Sequence, residues 1–430
     1  LASRRLTKGS HEELSGKKRR TGDTMSGPLE GIRVVEMASW MFVPSAASVL
    51  VDWGADVLKV ESPDGGDPQR GLISSGLLPG GAGGVNFMVE QPNRGKRSLA
   101  INVADPDGHE AFMKVIETAD VFLTNYLPSI RHRLGIDVDD LRERNPNLII
   151  ARGSGQGPKG PDAEKGGYDG ASFWARGGLS AVFPEGPDGW PQGQPSPAFG
   201  DVMGGLAIAG AVSTALVKRE RTGEPSVIDV SLLATAMWQV SPLVVAAKLF
   251  GFGRLPAGDR TQIPNPGVNT YRTSDDRFIS LILLQSDKHW DDLCERLDRP
   301  DLATDPKFAD STVRAENTSE CIAQLDEAFG SQTLEYWRER LEDFSGVWTP
   351  FQTLTELYED VQTMANGYLP TMEAANGDQV QLVASPAQFD ETPVGVERAP
   401  ELGEHTEVLL NELGISWDEL AAMKESGAIL

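Results

Sequence analysis

Cysteine is scarce: Cys294 and Cys321 are the only two in 430 residues. That excludes a disulfide scaffold, and without a Cys-x-x-Cys pair it excludes the usual cysteine zinc sites. Histidine is also rare, with five residues at positions 11, 109, 132, 289 and 405 and no H-E-x-x-H spacing. No metal site is expected. Positive charge is in deficit, 39 Lys and Arg against 63 Asp and Glu, a formal net charge of −24. A surface of that sign suits neither nucleic acid nor an anionic membrane. Long apolar runs are missing too. The most apolar stretch, Val202 to Val217, is sixteen residues broken by Gly, Ser and Thr, short of the ~20 that a spanning helix needs. These absences predict a reduced, cytoplasmic protein without a spanning segment. What is present, 40% hydrophobic and 24% charged residues, is the composition of a folded chain with one large or two ordinary domains.

Residues 1–24 carry seven Lys and Arg and no apolar core segment, which predicts a disordered basic leader rather than a secretory signal. From Gly31 onward, β-rich runs alternate with helical stretches. Strands are expected at Ile32 to Met37, Asp56 to Glu61, Asp120 to Thr124 and Leu148 to Ala151, and another after Arg97. Helices are expected at Pro44 to Trp53, at Pro106 to Thr118 behind an Asp105 cap, and as one run up to about Arg144. Strand–helix alternation of this kind predicts a Rossmann-like parallel α/β sheet. Residues 153–200 are rich in Gly and Pro, which in a stretch this long points to function. The boundaries expected are a large domain over 25–240, a linker helix over 241–264, a small α+β domain over 265–350 and a return segment over 351–430.

A dinucleotide site requires glycines after the first strand, so that pyrophosphate can approach the backbone. This chain has Ala38-Ser39-Trp40-Met41-Phe42-Val43-Pro44 there, and it has no Walker motif. Neither NAD nor ATP is expected. Asn93-Arg94-Gly95-Lys96-Arg97-Ser98 reads as a solvated turn or as a phosphate grip. Gly200-Asp201-Val202-Met203-Gly204-Gly205 opens the most apolar helix. Asp201 there is either its N-cap or a nucleophile beside free backbone N–H groups that stabilise an oxyanion. Gly204 and Gly205 would admit the close approach of a backbone or a ligand.

Six blocks in order carry a resemblance: Pro28 to Glu36, Trp53 to Glu61, Asn93 to Ser98, Asn125 to Pro128, Arg133 to Gly135, and Gly200-Asp201. Together, over about residues 27–400, the chain resembles the family III CoA-transferases, which include transferases and racemases of acyl-CoA. The resemblance implies an interlaced homodimer whose chains each contain a large Rossmann-like and a small domain. It implies acyl-CoA and a carboxylic acid as substrates, with no metal, NAD or ATP. It places a nucleophile at Asp201 and a second acid at Asp169. It places CoA contacts at Met41, Phe42, Ile101, Asn125 and Tyr126, with Arg133 and Lys165 on phosphate or pantetheine. Lys96 and Arg97 fall in a family motif.

Departures narrow the chemistry. Met41 stands where formyl-CoA transferase has Gln, Ser62 where it has Arg, and Ala104 where it has Lys, so formate and oxalate are not expected. Tyr168 precedes Asp169 where racemases have His, the residue best suited to exchange a proton near neutral pH. CoA transfer through an aspartyl anhydride and an aspartyl–CoA thioester is therefore the expected activity. A racemase or epimerase, and a non-catalytic acyl-CoA-binding relative, remain the alternatives. Trp40, Met41, Phe42 and Trp174 are the residues expected to keep water out. The net charge does not oppose an anionic substrate: residues 301–430 hold 26 acids against 6 bases, and residues 1–300 hold 37 against 33.

Overall fold

The structure, a computed structural model, describes residues 27–77 and 84–430. The leader expected over residues 1–24 lies outside the described residues. Beyond it run β1 (Arg33–Met37), α1 (Phe42–Asp52), β2 (Asp56–Glu61), α2 (Phe87–Asn93), β3 (Arg97–Ala100), α3 (Pro106–Glu117), β4 (Val121–Thr124), α4 (Pro128–Leu134), α5 (Val138–Arg144), β5 (Ile149–Ser154), α6 (Asp201–Thr222) and β6 (Val227–Ser231). The six strands form one parallel sheet in the order β3-β2-β1-β4-β5-β6. Chain direction across the sheet reverses between β1 and β4. The loops leaving those two strands diverge there and open a crevice at their carboxyl ends.

Both faces of the central strands are covered, which is why Val34-Val35, Val57-Leu58, Val121-Phe122-Leu123 and Ile149-Ile150-Ala151 read as apolar runs rather than alternating ones. Val35, Phe122 and Ile150 face α3 and the helices Thr406–Glu412 and Trp417–Ser426. Val34, Leu123 and Ala151 face α1 and α6. The chain's end returns to the sheet edge, where His405 N–H donates to Ser98 O (3.0 Å) and Ala100 N–H to Thr406 Oγ1 (2.9 Å). A separate three-stranded antiparallel sheet, β7 (Val268–Arg272), β8 (Phe278–Ile282) and β9 (Trp348–Pro350), supports its own core around Tyr271, Trp290, Phe329 and Trp337.

Three local expectations change. The helix expected to reach Arg144 is two helices, because Gly135 (φ 62°) ends α4 in a left-handed turn and Asp137 starts α5 with a capping box. β5 runs three residues past Ala151, to Ser154. The helix expected over 241–264 stops at Phe250, where Gly251 (φ 74°) caps it.

The apolar stretch of sixteen residues sits in a helix of 22 residues, α6, which by length and composition is enough to cross a membrane. α6 lies along α1. A methyl group on Gly205 would stand 2.0 Å from Ser45 Oγ and 2.9 Å from Ala46 N, and one on Gly204 would stand 2.4 Å from the Phe42 ring. The two glycines therefore serve helix–helix contact and not a ligand. Gly205→Ala gains at most about 1 kcal/mol of helix propensity, while overpacking against backbone costs about 1–3 kcal/mol. A lowered thermal midpoint is the expected outcome, and an unchanged or raised one would show that α1 yields.

Candidate active site

A cavity of about 400 Å³ opens at the carboxyl ends of the strands, between the loops that follow β1 and β4. Its wall includes Ser39, Trp40 and Phe42 after β1, Asn125, Tyr126, Leu127 and Pro128 after β4, Gly153 to Gly155 at the end of β5, Tyr168, and Asp201. The glycines are there for space. A Cβ on Gly153 would meet Val43 at 2.5 Å, and one on Gly155 would meet Gly167 Cα at 2.7 Å.

Asp201 is the first residue of α6, and its N-cap is Gly200. The capping role is thus excluded, and the carboxylate makes no hydrogen bond among the described residues. Gly200 is required by packing, since a Cβ would lie 2.2 Å from the Phe173 ring. Phe173 belongs to the π-helical turn Asp169–Ala175, and that turn also delivers Asp169. Asp169 Oδ1 accepts the Gly200 N–H at 2.9 Å, while its buried Oδ2 has no partner among the described residues. The residue before this loop's end, Ala198, is held at φ 59°, a strained setting for a non-glycine residue.

The electrostatics follow from this packing. Burial, and then the neighbouring Asp169 charge, push Asp201 up to about 7. Burial also raises Asp169, against the hydrogen bond from the Gly200 N–H. Two carboxyl groups share one poorly solvated site, and the charge of Asp169 adds to the burial that opposes ionisation of Asp201. The free N–H groups expected at the start of α6 are partly engaged: Val202 N–H donates to Ala198 O and Gly204 N–H to Gly200 O.

The other expected contacts divide. Phe42, Asn125 and Tyr126 lie on the cavity wall. Asn125 is also a clamp between the two diverging loops: its Oδ1 accepts Ser39 N–H (3.1 Å) and its Nδ2 donates to Ser39 O (2.7 Å). Met41 is buried at the N-cap of α1, away from the wall. Ile101 is a core residue bridging to Ile429. Trp174 is buried, with its indole N–H on Gln192 O at 2.8 Å, and packs against Phe183 and Phe199.

Lys96 is no phosphate grip. It is fully buried and donates to Glu36, Pro44 O and Asn93 Oδ1. Lys59 donates to the other Glu36 oxygen (2.8 Å) and to Asp67 Oδ2 (3.0 Å). Burial, opposed by Glu36, lowers Lys96 to about 8. Burial would lower Lys59 as well, but Glu36 and Asp67 more than offset it and raise the group. Arg97 points to the sheet edge and pairs with Asp56. Arg133 is exposed, and Lys165, with 70% of its side chain exposed, pairs with Asp162 at 2.7 Å; neither lies on the cavity wall.

Sequence reasoning missed Arg131, Arg152 and Asp229, all on the cavity wall. Arg152 grips Asp229 with two bonds of 2.8 Å, and Arg131 donates to Tyr126 O at 2.6 Å. The period-two alternation of Ile150, Arg152 and Ser154 would have found Arg152 had β5 been carried past Ala151.

Comparison with known proteins gives this geometry its setting. A family model described as CoA-transferase family III matches residues 29–406. The chain belongs to CoA-transferase family III. It is similar to (R)-2-hydroxy-4-methylpentanoate CoA-transferase of Clostridioides difficile, 30% identical over 93% of this chain and 99% of the relative. It is also similar to cinnamoyl-CoA:phenyllactate CoA-transferase of Clostridium sporogenes, 29% identical over 93% of this chain and 97% of the relative. Among solved structures, a CaiB/BaiF family protein of Brucella suis superposes with a TM-score of 0.76 at 28% identity, covering 90% of this chain and all of that one. A family III member is an enzyme that transfers CoA, and acyl-CoA is its substrate. The cavity at the β1/β4 reversal is where its fold places a ligand.

Proposed function

We propose that this family III enzyme moves CoA between carboxylic acids through covalent intermediates on Asp201. The observation that carries this reading is the Asp201 carboxylate itself: on the cavity wall, without a hydrogen bond from the protein, and pushed up to about 7. A poorly solvated carboxylate is a stronger nucleophile than a hydrated one, and it is also a leaving group once acylated. Asp201 attacks the thioester carbonyl, the C–S bond breaks, and CoA thiolate departs from an aspartyl–acyl anhydride. The thiolate then attacks the aspartyl carbonyl and releases the donor acid, which leaves an aspartyl–CoA thioester. The acceptor carboxylate runs the two steps in reverse. The C–S bond energy is conserved in the exchange, so the step needs no nucleoside triphosphate.

Racemisation would need an acid–base pair on either side of an α-carbon, and the cavity wall carries no histidine among the described residues. That favours transfer. Trp40, Phe42, Leu127, Ile130 and Leu232 on the wall suit a larger, apolar acid, in keeping with the branched and aryl 2-hydroxy acids in the relatives' names.

Incubation with acyl-CoA and hydroxylamine, followed by peptide mass spectrometry, tests the covalent route. A hydroxamate at Asp201 is the expected product, and an unmodified Asp201 peptide in an actively transferring preparation would overturn it. We also infer a homodimer, interlaced as the family resemblance implies. Helix α7 (Leu232–Gln239) and helix α8 (Ser241–Phe250) leave Trp238 81%, Leu249 71% and Phe250 78% exposed, and no residue of α8 is buried. An apolar surface of that kind calls for a partner. Light scattering is expected to give twice the chain mass, and a monomer mass would refute the dimer.

A further inference from the structure

Trp40 sits at φ 68°, a left-handed setting that strains a bulky residue and persists only where its surroundings enforce it. Its N–H donates to Asp67 Oδ1 at 3.2 Å. The preceding Ser39 is the residue clamped by Asn125. The Trp40 indole meets the Tyr168 ring edge-on, with centroids 5.8 Å apart, and both side chains belong to the cavity wall that includes Asp201. Asp67 itself is buried. Its Oδ2 accepts from Lys59, whose ammonium also donates to Ala38 O, two residues before Trp40. The aromatic pair is thus tied on one side to a buried ion cluster. On the other side Tyr168 adjoins Asp169, which holds the loop entering Asp201.

We propose that Asp67 is a positioning residue that sets acyl-group selectivity by holding Trp40 against Tyr168, with Lys59 anchoring it from beneath. The inference deepens the reading of Asp201 as the acyl-transfer site and rests on it. The group selected is an apolar acyl chain, branched or aryl, that packs on the indole. Glu36 is shared between the buried ammoniums of Lys59 and Lys96, so Asp67 is the second carboxylate that balances the cluster, and it is the member that reaches the strained turn. Asp67 uses its other oxygen on two backbone N–H groups, that of Gln69 (3.1 Å), which caps its own short helical turn, and that of Trp40 (3.2 Å).

The test is a double-mutant cycle with Asp67→Asn and Trp40→Gly. An asparagine has one oxygen for three donors on two sides, Trp40 N–H and Gln69 N–H on one and Lys59 on the other, so either the turn or the ammonium loses its partner. Glycine takes a positive φ without strain, so Trp40→Gly removes the indole and spares the turn. Dissociation constants for phenylacetyl-CoA and acetyl-CoA are measured by calorimetry in the Asp201→Asn background, where turnover does not intrude. Phenylacetyl-CoA is expected to bind more tightly, and each single variant is expected to reduce that preference about tenfold, within the range one hydrophobic pocket contact provides. The double variant is expected to match Trp40→Gly alone. A preference that is absent at the outset, or unaffected by Trp40→Gly, overturns the proposal. An Asp67→Asn effect of equal size with and without Trp40 also overturns it, because Asp67 would then act on the fold at large. Selectivity behaving as expected in a chain that transfers CoA to no acid would count against the proposed function and leave this inference standing.

Discussion

Asp201→Asn is expected to leave a folded enzyme that binds acyl-CoA with little change and transfers CoA at least about 10³-fold more slowly. The substitution is isosteric, and Asp201 supports no cap and no hydrogen bond within the described residues, so structure loses little. What disappears is the proposed nucleophile. Asp201→Ala is expected to behave in the same way, because neither side chain can form an anhydride. Full activity in either variant would remove Asp201 from the mechanism. On the proposed route the attacking species is the Asp201 carboxylate, and its folded pKa is raised to about 7. Plots of kcat/KM against pH are therefore expected to fall tenfold per unit as pH drops below about 7 and to level off above it. An acid limb near 4, where an ordinary aspartate titrates, would show that the site is hydrated rather than desolvated.

How far this site was legible in the sequence depends on the kind of signal. Asp201 drew notice as a candidate because of the glycines around it, whereas Asp169 came only from the family resemblance; the structure shows what the glycines do: a Cβ on Gly200 would meet the Phe173 ring, and one on Gly167 would lie 2.2 Å from Ser172 Oγ. The inner strands of the sheet were legible because strands buried on both faces are dominated by apolar residues, whereas the edge strand β6, exposed along much of its length, was not. Charge was not legible in the same way. Lys96 and Arg97 are neighbours in one basic run, yet one is buried against Glu36 and the other pairs with Asp56 at the solvent edge. Successive residues of a strand face opposite ways, and their partners lie 60 and 41 positions away. A local window cannot tell a buried ammonium from a solvated one. Trp40 escaped for a related reason: the partner of its backbone N–H, Asp67, lies 27 residues downstream, and nothing in the local sequence announces its positive φ.

Asp169→Asn carries the second large effect and separates two roles for that acid. Asp169 Oδ1 positions the loop through the Gly200 N–H, and an asparagine oxygen can accept the same bond. The charge is what the substitution removes. Asp169 raises the pKa of Asp201 by Coulombic repulsion, second to burial, so its neutralisation is expected to move the acid limb of kcat/KM to lower pH. Lower pKa also means a weaker nucleophile, and the buried Oδ2, which has no partner among the described residues, becomes an amide that can no longer take up a proton near the thioester. A fall in kcat of about 10²-fold, the scale of lost general acid–base assistance, is the expected result, with acyl-CoA affinity retained. Asp169→Ala, which also frees the Gly200 N–H, is expected to lose more activity and some stability besides. If Asp169→Asn leaves both kcat and the acid limb in place, Asp169 only orders the loop, and the raised pKa of Asp201 belongs to burial alone.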